Sequence, residues 1–316
     1  MNLTVTSSPH IRGDFRTSRL MLDVVIALLP SLVIGAFVLG AQALLVALVS
    51  VGAAVATEVL YSALLKKRNT AIDGSAIVTG LLFAMTLPVS VPLWIAATGS
   101  AFAILAAKLL WGGLGQNIFN PALLARALMM LLFPAALTRY PALGVDTVSG
   151  ATPLHHMVMP ALPEESLLDM FIGNCPGSIG ELSALALLAG GAYLVVRKVI
   201  SARIPVAYIG TVAIVTLVFH KTDDALSWML YQLLSGGLML GAIFMATDYV
   251  TSPVTKIGQY IYGIGCGVLT VIFRYFGLFP EGVTYAILLM NLCVWVIDRY
   301  TAPRIYGFAK GGASRA

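Results

Sequence analysis

The stretch Gly80-Leu81-Leu82-Phe83-Ala84-Met85-Thr86-Leu87-Pro88-Val89-Ser90-Val91-Pro92 reads as the end of a short apolar helix running into a proline-bounded break. Gly241-Ala242-Ile243-Phe244-Met245-Ala246-Thr247-Asp248-Tyr249-Val250-Thr251-Ser252-Pro253 repeats it: Gly80, Phe83, Thr86 and Pro92 recur as Gly241, Phe244, Thr247 and Pro253, each displaced by 161 positions, half the chain. The two apolar segments, 75–87 and 235–247, fall short of the roughly 20 residues that cross a bilayer core. Short segments that end in Pro88 and in Asp248-Tyr249 suit broken or re-entrant helices, whose freed backbone groups must face protein or water and not lipid.

Working outward, apolar runs predict further spans at 20–39, 42–64, 92–111, 120–134, 179–197, 204–219, 257–276 and 282–298. That makes five membrane-entering segments in each half. An odd number inserts the second copy upside down, so the expected architecture is all-α and polytopic: about ten membrane-entering helices in two inverted five-helix repeats, with the broken helices near the midplane. Composition agrees, because 59% of residues are hydrophobic and only 10% charged, against roughly 25% in soluble domains. Alternating ten-residue segments of an outer-membrane barrel are absent from the sequence. The net charge of +5 is no sign of nucleic-acid binding, since the basic residues form short clusters beside apolar runs. Cys175, Cys266 and Cys293 form no C-x-x-C pair, and no metal site is expected.

Lysine and arginine near span ends set the orientation. Arg12, Arg16, Arg19, Lys66, Lys67, Arg68, Arg197, Lys198, Arg203, Lys256, Arg299, Arg304, Lys310 and Arg315 all fall on one side, predicted cytoplasmic, against Arg139, Lys221 and Arg274 on the other. The expected organisation is a cytoplasmic segment 1–19, a first membrane repeat 20–134, a periplasmic loop 135–178, a second repeat 179–298 and a cytoplasmic tail 299–316, in a bacterial inner membrane. No cleavable signal is expected before the first span. Long loops concentrate function, which directs attention to 135–178.

That loop contains Asp146-Thr147-Val148-Ser149-Gly150-Ala151-Thr152, which resembles the D-x-x-S-G-A-T acceptor motif for covalent flavin attachment. In proteins bearing it, a flavin transferase joins the phosphate of FMN to the threonine hydroxyl as a phosphoester; the resemblance maps that threonine to Thr152. A hydroxyl needs activation before it attacks. Asp146 could orient the acceptor, Ser149 could hydrogen-bond the phosphate, and the small Gly150 and Ala151 leave room for the transferase. Two further stretches, 73–88 and Gly112-Gly113-Leu114-Gly115-Gln116-Asn117-Ile118-Phe119-Asn120-Pro121-Ala122, are similar to hallmarks of the NqrB/RnfD family, and Ser8-Pro9-His10-Ile11-Arg12 resembles its RnfD branch. NqrB proteins carry a longer extension before the first span, which disfavours a quinone site like theirs.

The resemblance implies a flavoprotein subunit of an Rnf-type complex that couples electron transfer of the ferredoxin/NAD kind to ion translocation, with other membrane and peripheral subunits as partners and no catalysis by this chain alone. It also implies a second, non-covalent flavin, riboflavin. Asn117, Asn120, Phe83, Phe244, Thr86, Thr247 and Asp248 are the candidates for that flavin or for an ion path. Asp23, Glu58, Lys108, Arg126 and Asp298 lie in or beside spans, where charges mark function by default; all but Arg126 stand close enough to span ends to reach water. His155 and His156 are adjacent loop residues, a poor arrangement for joint metal ligation. The rival readings are a urea- or ammonium-type solute channel, which shares the inverted repeats but leaves the loop idle, and a quinone reductase subunit of the NqrB kind.

Overall fold

A computed structural model describes residues 17–66, 73–113, 115–141, 149–150, 157, 162–163, 165–277 and 282–303. The first half runs α1 (Thr17–Leu39), α2 (Ala41–Leu64), α3 (Ser75–Met85), α4 (Leu93–Ile104, continued by a π-helical turn Leu105–Leu109) and α5 (Pro121–Leu132). After a two-residue ladder, β1 (Tyr140–Pro141) with β2 (Ser149–Gly150), and a short helix α6 (Leu167–Ile172), the second half runs α7 (Ala184–Val196), α8 (Arg203–Val218), α9 (Ala225–Leu234), α10 (Leu238–Leu240, continued by a π-helical turn Gly241–Met245), α11 (Lys256–Phe276) and α12 (Val283–Thr301).

Among the described residues, four helices (α1, α2, α11 and α12) are long and apolar enough to cross a membrane singly, and α9 with α10 forms a bent pair with a 62° break. Five shorter apolar helices, α3, α4 with its π turn, α5, α7 and α8, complete the membrane-compatible set. The order of elements repeats: α2 packs on α3 and α4 as α8 packs on α10 and α11. Counterparts also meet, α1 against α7 and α5 against α12, as elements related by a two-fold axis do. One continuous apolar core joins both halves, while large side chains such as Leu48, Phe37, Ile264 and Trp295 are exposed outward, as lipid-facing surfaces require.

Helix starts are set by ordinary capping chemistry. Asn120 Oδ1 accepts from the N–H groups of Ala122 (3.1 Å) and Leu123 (3.3 Å), with Pro121 at the first helical position of α5. Ser183 caps α7, Asp224 caps α9 and Thr255 caps α11, each accepting an N–H with its side chain. Asp298 accepts the N–H of Val254 at 3.2 Å and so ties α12 to the turn before α11.

Two expectations change here. The span predicted at 179–197 begins as helix only at Ala184, because residues 173–183 descend in non-helical form: Ile179 N–H donates to Leu87 O (3.1 Å) and Gly180 N–H to Met85 O (2.8 Å). The hydrogen bonds such a buried backbone needs are supplied by the carbonyls of Met85, the last residue of α3, and of Leu87 just beyond it. The segment predicted at 235–247 is preceded by the separate helix α9, and together they make the bent pair.

Candidate functional site

Both broken helices start at a left-handed glycine, Gly74 (φ 80°) for α3 and Gly237 (φ 63°) for α10, a conformation that costs glycine little. Each start is gripped by a buried cation from the far end of the helix that follows. In the first half Lys108 Nζ, on the π turn after α4, donates to Ser75 Oγ (2.6 Å) and to Glu58 Oε1 of α2 (2.8 Å). Ser75 Oγ in turn donates to Asp73 Oδ1 at 2.5 Å. Lys108 and Glu58 are 2% and 0% exposed, so neither reaches water as expected from their distance to the span ends. The π turn widens the helix by one residue per turn and resets the direction of its side chains; Lys108 lies within it.

In the second half Arg274, near the end of α11, donates to Ser235 O (2.8 Å), Gln232 Oε1 (3.0 Å), Gly236 O (3.4 Å) and the Gln232 carbonyl. It is 5% exposed, buried where the sequence placed it among charges of the outer side. These carbonyls belong to the C-terminus of α9 and to the break, where the helix dipole favours a cation. Arg126 of α5 plays a related part at the other end of α3, donating to Thr86 O. Asp23 of α1 accepts from Tyr193 Oη (2.8 Å) and lies 3.4 Å from Arg197, clasping α1 to α7.

Two recesses flank the broken helices. The first, about 80 Å³, is lined by Ser75, Thr79, Lys108, Asn117, Asn120, Phe244, Thr247 and Asp248 with apolar neighbours. The second, about 30 Å³, lies on Thr86, Arg126, Ser178, Glu181, Gly237, Met245 and Thr284. Thus Asn117, Asn120, Phe244, Thr247 and Asp248 share one recess and Thr86 lines the other. Phe83 lines neither; its ring packs on Gly99 of α4, whereas Phe244 packs on Gly190 of α7. Asn120 joins the halves directly, donating Nδ2 to Met245 O at 3.2 Å. Roughly half the volume of an engineered cavity that holds benzene, about 150 Å³, the larger recess has room for waters or a small ion.

The motif residues Asp146, Ala151 and Thr152 lie outside the described residues, as do His155 and His156. Their flanks are placed. Ser149 and Gly150 pair antiparallel with Pro141 and Tyr140, and Ser90 Oγ donates to Arg139 O (2.6 Å), fixing this ladder to the α3–α4 connection. Downstream, Met157 is 2% exposed in a small cluster with Met170, Cys175, Trp228 and Tyr231. Tyr231 Oη donates to Glu165 O and Trp228 Nε1 to Tyr275 Oη, both 2.8 Å. Burial, reinforced by Glu181, Glu165 and Asp169, pushes the Cys175 thiol up to about 12. It is a buried free thiol. Among the described residues no cluster of three or more His, Cys, Asp or Glu could hold a metal ion.

Sequence reasoning missed the Lys108–Glu58 pair and the Arg274 cage. For the pair, the available signal was opposite charges in two predicted spans, 42–64 and 92–111, which single-span reading treats one at a time; the oxygens around Arg274 are uncharged and carried no such signal.

Interrupted helices in both halves, gripped by buried cations inside an apolar bundle, define a repeat-built polytopic membrane protein. The chain belongs to the NQR2, RnfD, RnfE family, whose model matches residues 4–307. It is 48% identical to the D subunit of the Na(+)-translocating ferredoxin:NAD(+) oxidoreductase complex of Acetobacterium woodii, over 98% of this chain and 97% of that one. It is 44% identical to the proton-translocating counterpart of Clostridium ljungdahlii, over 96% of each chain, and 39% identical to the D subunit of an ion-translocating oxidoreductase complex of Stutzerimonas stutzeri, over 92% of each.

Proposed function

We propose that this chain is the flavin-carrying membrane subunit of a multisubunit complex that couples electron transfer between ferredoxin and NAD to ion translocation. The observation that carries the complex and the coupling is full-length similarity to the D subunits of both sodium- and proton-translocating ferredoxin:NAD(+) oxidoreductases. The flavin rests on Asp146 to Thr152 matching the attachment motif in the one long connection between the halves. Held through its phosphate on Thr152 Oγ1, FMN would supply one- and two-electron redox chemistry. The chain's own part is positional: the β1–β2 ladder ends two residues before Thr152, and the Met157 anchor lies five residues after it.

The lysine and arginine asymmetry supports an inner-membrane orientation with both ends cytoplasmic and the flavin loop periplasmic. In that orientation the larger recess opens on the cytoplasmic half. Its hydroxyls and amides, with the Asp248 carboxylate, suit a hydrated cation or water.

Purifying the intact complex and viewing its subunits for flavin fluorescence after SDS denaturation tests the reading. A fluorescent band at this chain's mass is expected. A dark band, with solute flux through the isolated chain in liposomes, would favour the channel reading instead.

A further inference from the structure

Helix α6 divides its side chains sharply. Met170 is 1% exposed in the cluster beneath, while Leu168, Phe171 and Ile172 are 65%, 36% and 51% exposed. At about 100° per residue these three fall within an arc of roughly 100°. Asp169 lies to one side of that arc, accepting from Ser166 Oγ (2.6 Å), with Asn174 Nδ2 at 3.5 Å. An exposed apolar face of this kind would be a liability in water.

The height of α6 against α1 explains it. Gly173, which ends α6 at φ 120°, is so close to α1 that a methyl group there would stand 3.2 Å from Ile34 Cγ2. Ile179 O would stand 2.9 Å from a methyl at Gly35. Ile34 and Gly35 precede the end of α1 at Leu39 by four or five residues, or about 7 Å along the axis. The C-terminal end of α6 therefore lies inward of the end of a membrane-length helix. Three residues beyond Ile34, Phe37 is 86% exposed.

We propose that α6 is an interfacial helix, with Leu168, Phe171 and Ile172 seated in the headgroup–acyl boundary of the leaflet next to the 135–178 connection. The bilayer is the occupant because the end of this face lies beside Ile34, inward of the end of α1 and three residues before the exposed Phe37. Amphipathic segments bind this boundary by burying their apolar side and leaving their polar side wet; Ser166, Asp169 and Asn174 supply the wet side. Through Met170 and Met157 the helix ties the connection to the membrane surface. This holds whether or not the connection carries a flavin.

The test uses the full complex in nanodiscs of phosphatidylcholine and phosphatidylglycerol. Phe171→Cys and Asp169→Cys, each with Cys293→Ser, are labelled with a nitroxide; Cys175 and Cys266 are buried. At position 171 collision with oxygen should exceed collision with a water-soluble nickel chelate several-fold, and at 169 the order should reverse. Dominant nickel collisions at 171 would place the face in water. A rigid label at 171 reached by neither agent would place another protein over it. Either result overturns the proposal.

Discussion

In the first half the start of the broken helix is held by an ion pair, Lys108 with Glu58, acting through Ser75; in the second the corresponding break is held by Arg274 on the carbonyls of Gln232, Ser235 and Gly236. Two copies of one fold have met one physical problem, an interrupted helix buried in a bundle, with different chemistry. The first charge is paired with a carboxylate two helices away in the chain, so its loss takes the ammonium from buried Glu58. The second is spread over backbone oxygens, so its loss strands carbonyls. The planar, multi-donor guanidinium suits several divergent oxygens, and the compact ammonium suits a hydroxyl and a carboxylate.

The sharpest way to break this comparison is Lys108→Met. It leaves Glu58 buried without its ammonium and should cost about 3–5 kcal/mol, read as a lower unfolding midpoint in detergent. Combining it with Glu58→Gln should restore most of the loss; an additive double variant would contradict the pairing. Arg274→Lys should cost less, about 1–3 kcal/mol, since an ammonium reaches fewer of the carbonyls and leaves the others unsatisfied. An unchanged midpoint would show that the cage is not what fixes the break.

The two phenylalanines of the repeated motif sharpen the contrast. An alanine methyl at Gly190 would collide with the Ala27 carbonyl oxygen, a backbone atom, while at Gly99 it would collide with Phe83 Cζ, the end of a side chain. Overpacking costs typically about 1–3 kcal/mol, so Gly190→Ala should sit at the upper end and Gly99→Ala at the lower. The reverse order would show that Phe83 has less freedom to move than its position on α3 implies.

Much of this was visible in the sequence. The spans at 20–39, 42–64, 257–276 and 282–298 correspond to helices α1, α2, α11 and α12, because uninterrupted apolar runs of that length have one structural solution in lipid. The repeated Gly, Phe and Thr positions located both broken helices. Helix α9 was hidden because Asp223, Asp224 and Gln232 dilute its hydropathy, although Asp224 is the residue that caps it. The descent of 173–183 was hidden for another reason: hydropathy reports burial, and cannot separate a helix from a chain of turns whose partners are the carbonyls of Met85 and Leu87. Buried charges were misjudged for want of the third dimension, since Glu58 meets Lys108 fifty residues away. The attachment motif was legible only as a resemblance; apart from Ser149 and Gly150, whose backbone pairs in β2, its residues fall outside the described ones.

The smallest expected effect lies in the connection between the halves, where charge acts at an exposed helix. Hydrogen bonds from the Ser166 and Asn174 side chains hold the Asp169 carboxyl below the ordinary aspartate range. A depressed folded value contributes stability that is present above the unfolded pKa of about 4 and is lost as pH falls through the folded one. Protection of the α6 amides, taken relative to their intrinsic exchange rate at each pH, should therefore fall modestly below about pH 4, and Asp169→Asn should remove that dependence. Throughout, Cys175 should stay unreactive to maleimide near neutral pH, given its burial and raised thiol pKa.

The central claim is the attachment of flavin to this chain, and peptide mass spectrometry of protein expressed with a flavin transferase tests it most directly. The account predicts an FMN-sized increment on Thr152 as a phosphoester, absent in Thr152→Val, with the membrane fold retained because the substitution removes only a hydroxyl. Thr152→Ser should keep some attachment if the methyl group merely positions the nucleophile. An increment on any other residue, or an unmodified Thr152 peptide from a redox-active complex, would contradict it.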